Sequence, residues 1–234
     1  MKHYLAFDLG ASSGRAILGT FADGKLALEE LHRFENGPVD VDGGLYWNLL
    51  GLFAEIKKGL AVAVRRGIAL SGMAVDTWGV DFAFLDAAGK FAGFPRHYRD
   101  PRTADAMPWA FERCPRDAMY RATGIQFMSL NSIFQLAAMV RDQDPVLTVG
   151  RTLLFMPNAL TYLLSWDVSA EYTIATTSQA YDTHRRDWSW DVIAALGIPR
   201  GSSDGAALAV FACVDDASGV TAVSGVTVGS GVTV

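Results

Sequence analysis

The chain has 234 residues, of which 50% are hydrophobic and 19% charged, enough apolar material for one large domain and too much for a disordered chain. The formal net charge of −5, with no basic stripe, argues against nucleic-acid binding through phosphate neutralisation. Cys114 and Cys213 show no CxxC or metal-like spacing, Met1–Tyr4 carries no signal-peptide pattern, and the most apolar stretch, Leu60 to Val75, is broken by Arg65 and Arg66. The expectation is a cytoplasmic protein with neither a membrane nor a nucleic acid as partner.

Tyr4 to Phe7 and Ala16 to Phe21 alternate with strand period, and Leu26 to Phe34 follows a turn at Ala22-Asp23-Gly24-Lys25, so the chain opens as a three-stranded antiparallel meander. Asn36 to Gly44 reads as a loop. Trp47 to Arg66 has helical spacing of Leu49, Leu52, Phe53, Ile56, Leu60 and Val64, with Gly67 as its stop. Ile68 to Val75 and Asp81 to Leu85 read as strands. Thr103 to Phe111 and Pro115 to Arg121 read as short helices, the second ended by Thr123-Gly124. Asn131 suits an N-cap for a helix with one apolar stripe, Ile133, Leu136, Ala137 and Val140. Thr152 to Phe155 is strand-like, a helix runs from Pro157 to Leu164, and Glu171 to Thr177 and Trp188 to Leu196 complete the helical part.

Three stretches carry chemistry. In Asp8-Leu9-Gly10-Ala11-Ser12-Ser13-Gly14-Arg15, a glycine-bearing loop joins the first two strands. Gly10 and Gly14 are free to take positive φ, successive N–H groups in such a turn form an anion nest, and Asp8 at the strand mouth suits a hydrated cation. The combination suggests a nucleotide phosphate site. It is neither a P-loop, lacking the Lys-Ser/Thr pair, nor a dinucleotide fingerprint, since a strand pattern follows it; an ordinary hairpin turn is the competing reading. The second stretch, Asp76-Thr77-Trp78-Gly79, lies at the carboxyl end of a strand, where ligands of open α/β sheets collect. Trp78 offers a flat apolar face to a sugar and Gly79 a bare backbone; alternatively Trp78 is a core anchor and Gly79 a bulge. The third, Arg96 to Thr103, holds three arginines, His97 and Asp100, and reads equally as an anion-recognising cluster or as a mutual salt-bridge cluster capping the next helix.

Asp8 to Arg15, Val75 to Phe82, Tyr98 to Thr103, Thr123 to Phe127 and Glu171 to Thr177 together resemble the first domain of the carbohydrate kinases of the actin-like ATPase superfamily, and within it the rhamnulokinases. The resemblance runs from the N-terminus to about Pro199. It implies an α/β, actin-like (ribonuclease H-like) domain with a mixed sheet flanked by helices, and transfer of the ATP γ-phosphate to the 1-hydroxyl of L-rhamnulose or a related ketose. On its terms Ala11, Ser12, Ser13, Gly14 and Arg15 cradle the ATP phosphates, Asp8 anchors Mg²⁺, and Gly79 and Trp78 contact the sugar.

The resemblance stops where the sequence becomes repetitive. Residues 218–234 are near-copies of a Ser-Gly-Val-Thr unit, giving an expected division into a kinase domain at 1–200 and a divergent tail at 201–234. The His-Asp-Thr segment that carries the family's proton-accepting aspartate does not occur, and Asp204, Asp215 and Asp216 match no motif, so no catalytic base is assigned. The second kinase domain is expected to be absent too. On these terms the chain alone is a weak or inactive kinase, with a non-catalytic sugar-binding or oligomerisation module as the alternative.

Overall fold

The computed structural model describes residues 1–199 and the short strand Val214–Asp215. The opening meander is β1 (Lys2–Leu9), β2 (Ser13–Ala22) and β3 (Lys25–Glu35), all antiparallel. A hairpin follows, β4 (Pro38–Val41) and β5 (Gly44–Trp47), where the sequence reads as a loop. Its turn is Asp42-Gly43, both at positive φ (52° and 77°), the pairing that two-residue hairpin turns favour. Helix α1 (Leu49–Arg65) starts after Trp47 rather than at it: the Asn48 side chain accepts from the Gly51 N–H and caps the first turn. Gly67, at φ +67°, ends it as expected.

The chain then returns as β6 (Leu70–Thr77), which lies parallel beside β1 and gives the sheet order β3-β2-β1-β6. Leu5, Phe7, Leu9 and Ala16 on one sheet face pack against Leu52, Ile56 and Ala63 of α1. The approach is close, since a Cβ on Gly59 of α1 would lie 2.7 Å from that of Ala16.

A second sheet, β8-β7-β9, is made by β7 (Phe82–Leu85), β8 (Phe91–Ala92) and β9 (Thr152–Phe155). It divides two hydrophobic clusters. Phe82, Phe84, Leu153 and Phe155 point into one, while Ala83, Leu85 and Leu154 belong to the cluster beneath α1. A strand buried on both faces has no alternation, which is why β7 reads as an unbroken apolar run. A 3₁₀ turn (Pro101–Thr103), α2 (Ala106–Phe111), α3 (Arg116–Thr123) and α4 (Ser132–Arg141) surround the first cluster. Helix α4 is buried from Ser132 to Met139, so the single apolar stripe expected of it is wrong: it runs through the core. Asn131 stands at its N-cap position but makes no capping bond, donating instead to the Gln126 carbonyl and to Gln179 Oε1.

The remainder comprises α5 (Val146–Val149), α6 (Met156–Ser165), β10 (Ala170–Glu171), α7 (Tyr172–Thr177), the hairpin β11 (Tyr181–Asp182) and β12 (Asp187–Trp188), α8 (Trp190–Ala195) and β13 (Val214–Asp215), which pairs parallel with β10. Beyond that strand, the repetitive tail, Cys213 and Asp204 lie outside the described residues. No helix among the described residues is long and apolar enough to cross a membrane.

Candidate functional site: two adjacent bends

Parallel pairing places the two glycine-bearing bends side by side. In the β1–β6 ladder Asp8 stands opposite Asp76 and Leu9 opposite Thr77, so Gly10–Ser13 and Trp78–Asp81 leave neighbouring strands at the same carboxyl end. The first bend closes with a hydrogen bond from Gly10 N to the Ser13 carbonyl (2.8 Å). The end of β3 ties it down: Asn36 donates its backbone N–H to the Ser12 carbonyl (3.0 Å) and its side-chain amide to the Gly10 carbonyl (2.8 Å). Ala11 packs against the core, Ser12 is exposed and Ser13 partly buried. Asp8 and Arg15, cross-strand neighbours, form an ion pair.

Neither Gly10 nor Gly14 is at positive φ, so the expected use of their left-handed freedom is wrong. Gly14 is needed for space instead. A Cβ there would lie 2.2 Å from Phe34 Cζ, so glycine lets the ring cross under the bend.

Beside the two strand ends lies a cleft of about 420 Å³ whose polar lining includes Asp8, Asp76, Asn158, Thr161, Glu171 and Thr173. Asn158 is only 3% exposed and its Oδ1 has no partner. Glu171 spends its carboxylate capping α7, accepting from the N–H groups of Thr173 (2.8 Å) and Ile174 (3.0 Å). Among the described residues no three His, Cys, Asp or Glu side chains gather as a metal set. The carboxylates of Asp8 and Asp76 are oxygen donors, the type of which a hydrated Mg²⁺ takes one or two.

The second bend is built from distant parts of the chain. Trp78, partly exposed, stacks on buried Trp47 of β5 with ring centroids 3.8 Å apart. Both indoles donate to Asp81 Oδ2, Trp47 at 2.5 Å and Trp78 at 3.0 Å; the Tyr98 N–H adds a third bond at 3.2 Å, and Gln135 Nε2 donates to Oδ1 at 2.8 Å. Burial pushes the Asp81 pKa up to about 6, against the pull of Gln135, Trp47, Trp78 and the Tyr98 N–H. Between Gly79 and Asp81, Val80 is held at φ +68°, a conformation that costs a β-branched residue strain. Its N–H donates to Thr177 Oγ1 (3.3 Å) and its carbonyl accepts from Ser132 Oγ (2.5 Å). Gly79 presses on α7, where a Cβ would meet Thr177 Oγ1 at 3.2 Å.

Sequence reasoning finds Trp78 and Gly79 but misses Trp47, Asp81, Ser132, Gln135 and Thr177, which hold them. Asp81 leaves a trace in the sequence, as a charged residue at the head of an apolar run, and Thr177 one as the last residue of the family-like Glu171 to Thr177 stretch. Between the two readings of Arg96 to Thr103, the geometry takes the mutual cluster. Asp100, 3% exposed, accepts from Leu45 N, Arg96 and Arg102 N, and caps the 3₁₀ turn. Arg102, its side chain 12% exposed and its pKa lowered to about 10 mainly through desolvation, also donates to Gln135 Oε1 at 3.1 Å. His97 is buried between Trp47 and Tyr98, and burial lowers its pKa.

Residues 3–203 match the family model for the N-terminal domain of the FGGY family of carbohydrate kinases. The chain belongs to that family. FGGY relatives include a rhamnulokinase from Bacteroides thetaiotaomicron, 41% identical over 197 residues, and one from Yersinia pestis, 40% identical over 197 residues. The alignments cover 84% and 83% of this chain but 41% of each relative, so the chain spans about two-fifths of the length of the curated relatives it matches. Xylulose kinases from Lactobacillus acidophilus (TM-score 0.76, 12% identity, 92% of this chain and 42% of that one) and Rhodospirillum rubrum (TM-score 0.75, 15% identity, 92% and 43%) share the fold. The FGGY chain is thus α/β and actin-like, its mixed sheet opening with the antiparallel meander, as its sequence leads one to expect.

Proposed function

We propose that this chain is the nucleotide- and sugar-facing N-terminal part of a kinase that transfers the γ-phosphate of ATP to the 1-hydroxyl of L-rhamnulose, and that alone it binds but turns over weakly or not at all. The observation that carries the reading is the register of β1 against β6, which sets the Ala11–Arg15 bend and the Trp78–Gly79 bend beside one another at one sheet end. Phosphoryl transfer needs donor and acceptor held in line at close range, and most of its catalysis is positioning and charge stabilisation.

In this reading the backbone N–H groups of the first bend and the Arg15 guanidinium receive the phosphates, and Trp78 offers its ring to the sugar beside the Gly79 backbone, whose side-chain space is taken by Thr177. Asp8 and Asp76, opposite one another on the two strands, would hold Mg²⁺, which neutralises phosphate charge when bound. No residue of the described part takes the role of base, and lack of one commonly costs about 10²–10⁴-fold in rate. Titration calorimetry with L-rhamnulose and with Mg-ATP tests the reading. Heat from both ligands, with little or no phosphate transfer, is expected; a folded sample giving heat from neither overturns it. Fuculose serves as the competing ketose.

A further inference from the structure

The second bend is anchored by a buried charge that cannot reach a ligand. Asp81 is 1% exposed, and every group bonded to its carboxylate is a donor: two indole N–H groups, one backbone N–H and one side-chain amide. The amide is fixed in that sense, because Gln135 Oε1 is already accepting from Arg102. Four converging donors suit a carboxylate and nothing else of that size; an asparagine would turn its own NH₂ toward another donor. Burying a charge is costly, so an indole that served only to fill the core would be cheaper to satisfy with a backbone carbonyl. Here one oxygen ties together a buried ring, Trp47, and a partly exposed ring, Trp78, stacked upon it.

We propose that Asp81 is a positioning residue for the Trp78–Gly79 bend: its buried carboxylate fixes the plane of the Trp78 indole against Trp47, and so sets how tightly a sugar ring packs there. The inference rests on the sugar-kinase reading and adds to it a residue that never touches the sugar. Two further charged or titratable groups flank the clamp: Arg102, itself paired with Asp100, and His97, which stacks on the far partner, Trp47. Protonation of Asp81 removes one acceptor site from a cage made wholly of donors, so the hold on the Trp78 ring should loosen locally in mild acid, even as relief of the buried charge favours the folded state as a whole.

The test uses the intact chain, with Asp81→Asn, Trp78→Phe (which keeps a ring and loses the N–H) and the double variant. Tryptophan emission is followed against pH without ligand, L-rhamnulose binding is measured at neutral pH, and near-ultraviolet circular dichroism checks the fold. A step in emission near pH 6 is expected in the unsubstituted protein, smaller in Trp78→Phe and lost in Asp81→Asn; a step from His97 would survive in Asp81→Asn and so be told apart. Asp81→Asn should weaken sugar binding about ten-fold, the worth of one hydrogen bond to a charged group, but less than about two-fold when Phe already stands at 78. An emission step that persists in Asp81→Asn, or an equal loss of affinity in both backgrounds, overturns the proposal. Should Asp81→Asn fail to fold, an emission step of equal size in the unsubstituted protein and Trp78→Phe overturns it. Should the unsubstituted chain bind no sugar, the kinase reading falls, and the emission data alone decide the link between Asp81 and Trp78.

Discussion

The two bends sit side by side yet are held by opposite means. The Gly10–Ser13 bend is closed by backbone hydrogen bonds and by Asn36, and its only described ion pair, Asp8–Arg15, is open to solvent, with side chains 47% and 41% exposed. The Trp78–Asp81 bend is held by side chains from β5, α4 and α7 that converge on a buried carboxylate and a left-handed valine. On the proposed reading, a bend that meets phosphate needs backbone donors and little else, whereas one that meets a sugar face needs a ring kept in one plane. The first can be made locally; the second must draw on the whole domain.

The contrast predicts unequal responses to substitution. Asp81→Leu takes the acceptor from the Trp47, Trp78 and Tyr98 N–H groups, while Gln135 keeps the Leu130 carbonyl, and should lower the unfolding free energy at neutral pH by about 2–4 kcal/mol, read by urea denaturation. Its acid behaviour has a definite sign. The folded-state pKa of Asp81, about 6, stands above its ordinary 3.8, so the folded protein binds the proton more tightly than the unfolded chain. The stability this group contributes is fully present below about pH 4 and is lost as pH rises through about 6, a swing on the order of 2–3 kcal/mol. Asp81→Asn should flatten the profile in that window; an unchanged slope would mean that another group governs it.

On the other bend the sensitive position is a glycine, not a charge. Gly14→Ala drives a methyl into the Phe34 ring and should cost about 1–3 kcal/mol, as overpacking does, with Phe34→Leu in the same chain recovering part of the loss. A fully tolerated alanine would show that the ring moves aside freely.

What the sequence discloses follows the same division. The meander and the return strand rest on alternation and apolar runs, and the first bend on a local glycine pattern, and these are legible; the parallel pairing of β6 with β1 and the tie from Asn36, 26 positions from Gly10, are not. The β4–β5 hairpin is missed, because a glycine- and aspartate-rich stretch masks its short strands despite the Asp42-Gly43 turn. The supports of the second bend are not legible either. Trp47 looks like a helix start, Gln135 like a helix surface and Thr177 like a helix end, because their partners lie 34, 54 and 97 positions away in sequence. Helix α4 misleads for a related reason: enclosed by strands and helices, its polar Ser132 and Gln135 are not a solvent face but the hydrogen-bonding face turned toward Val80 and Asp81.

The smallest expected effect on stability is also the sharpest test of the contrast. Asp8→Asn removes an ion pair whose partners are both near half exposed, and exposed pairs of this kind contribute about 0–1 kcal/mol. The melting temperature should therefore hardly move, and added salt should shrink what change there is. Mg-ATP affinity should fall about ten-fold in the same variant, since the reading gives Asp8 to the metal and not to the fold. Loss of stability comparable to that of Asp81→Leu would mean that Asp8 is a structural anchor like its neighbour, and the division between a bend made for charge and a bend made for shape would go with it.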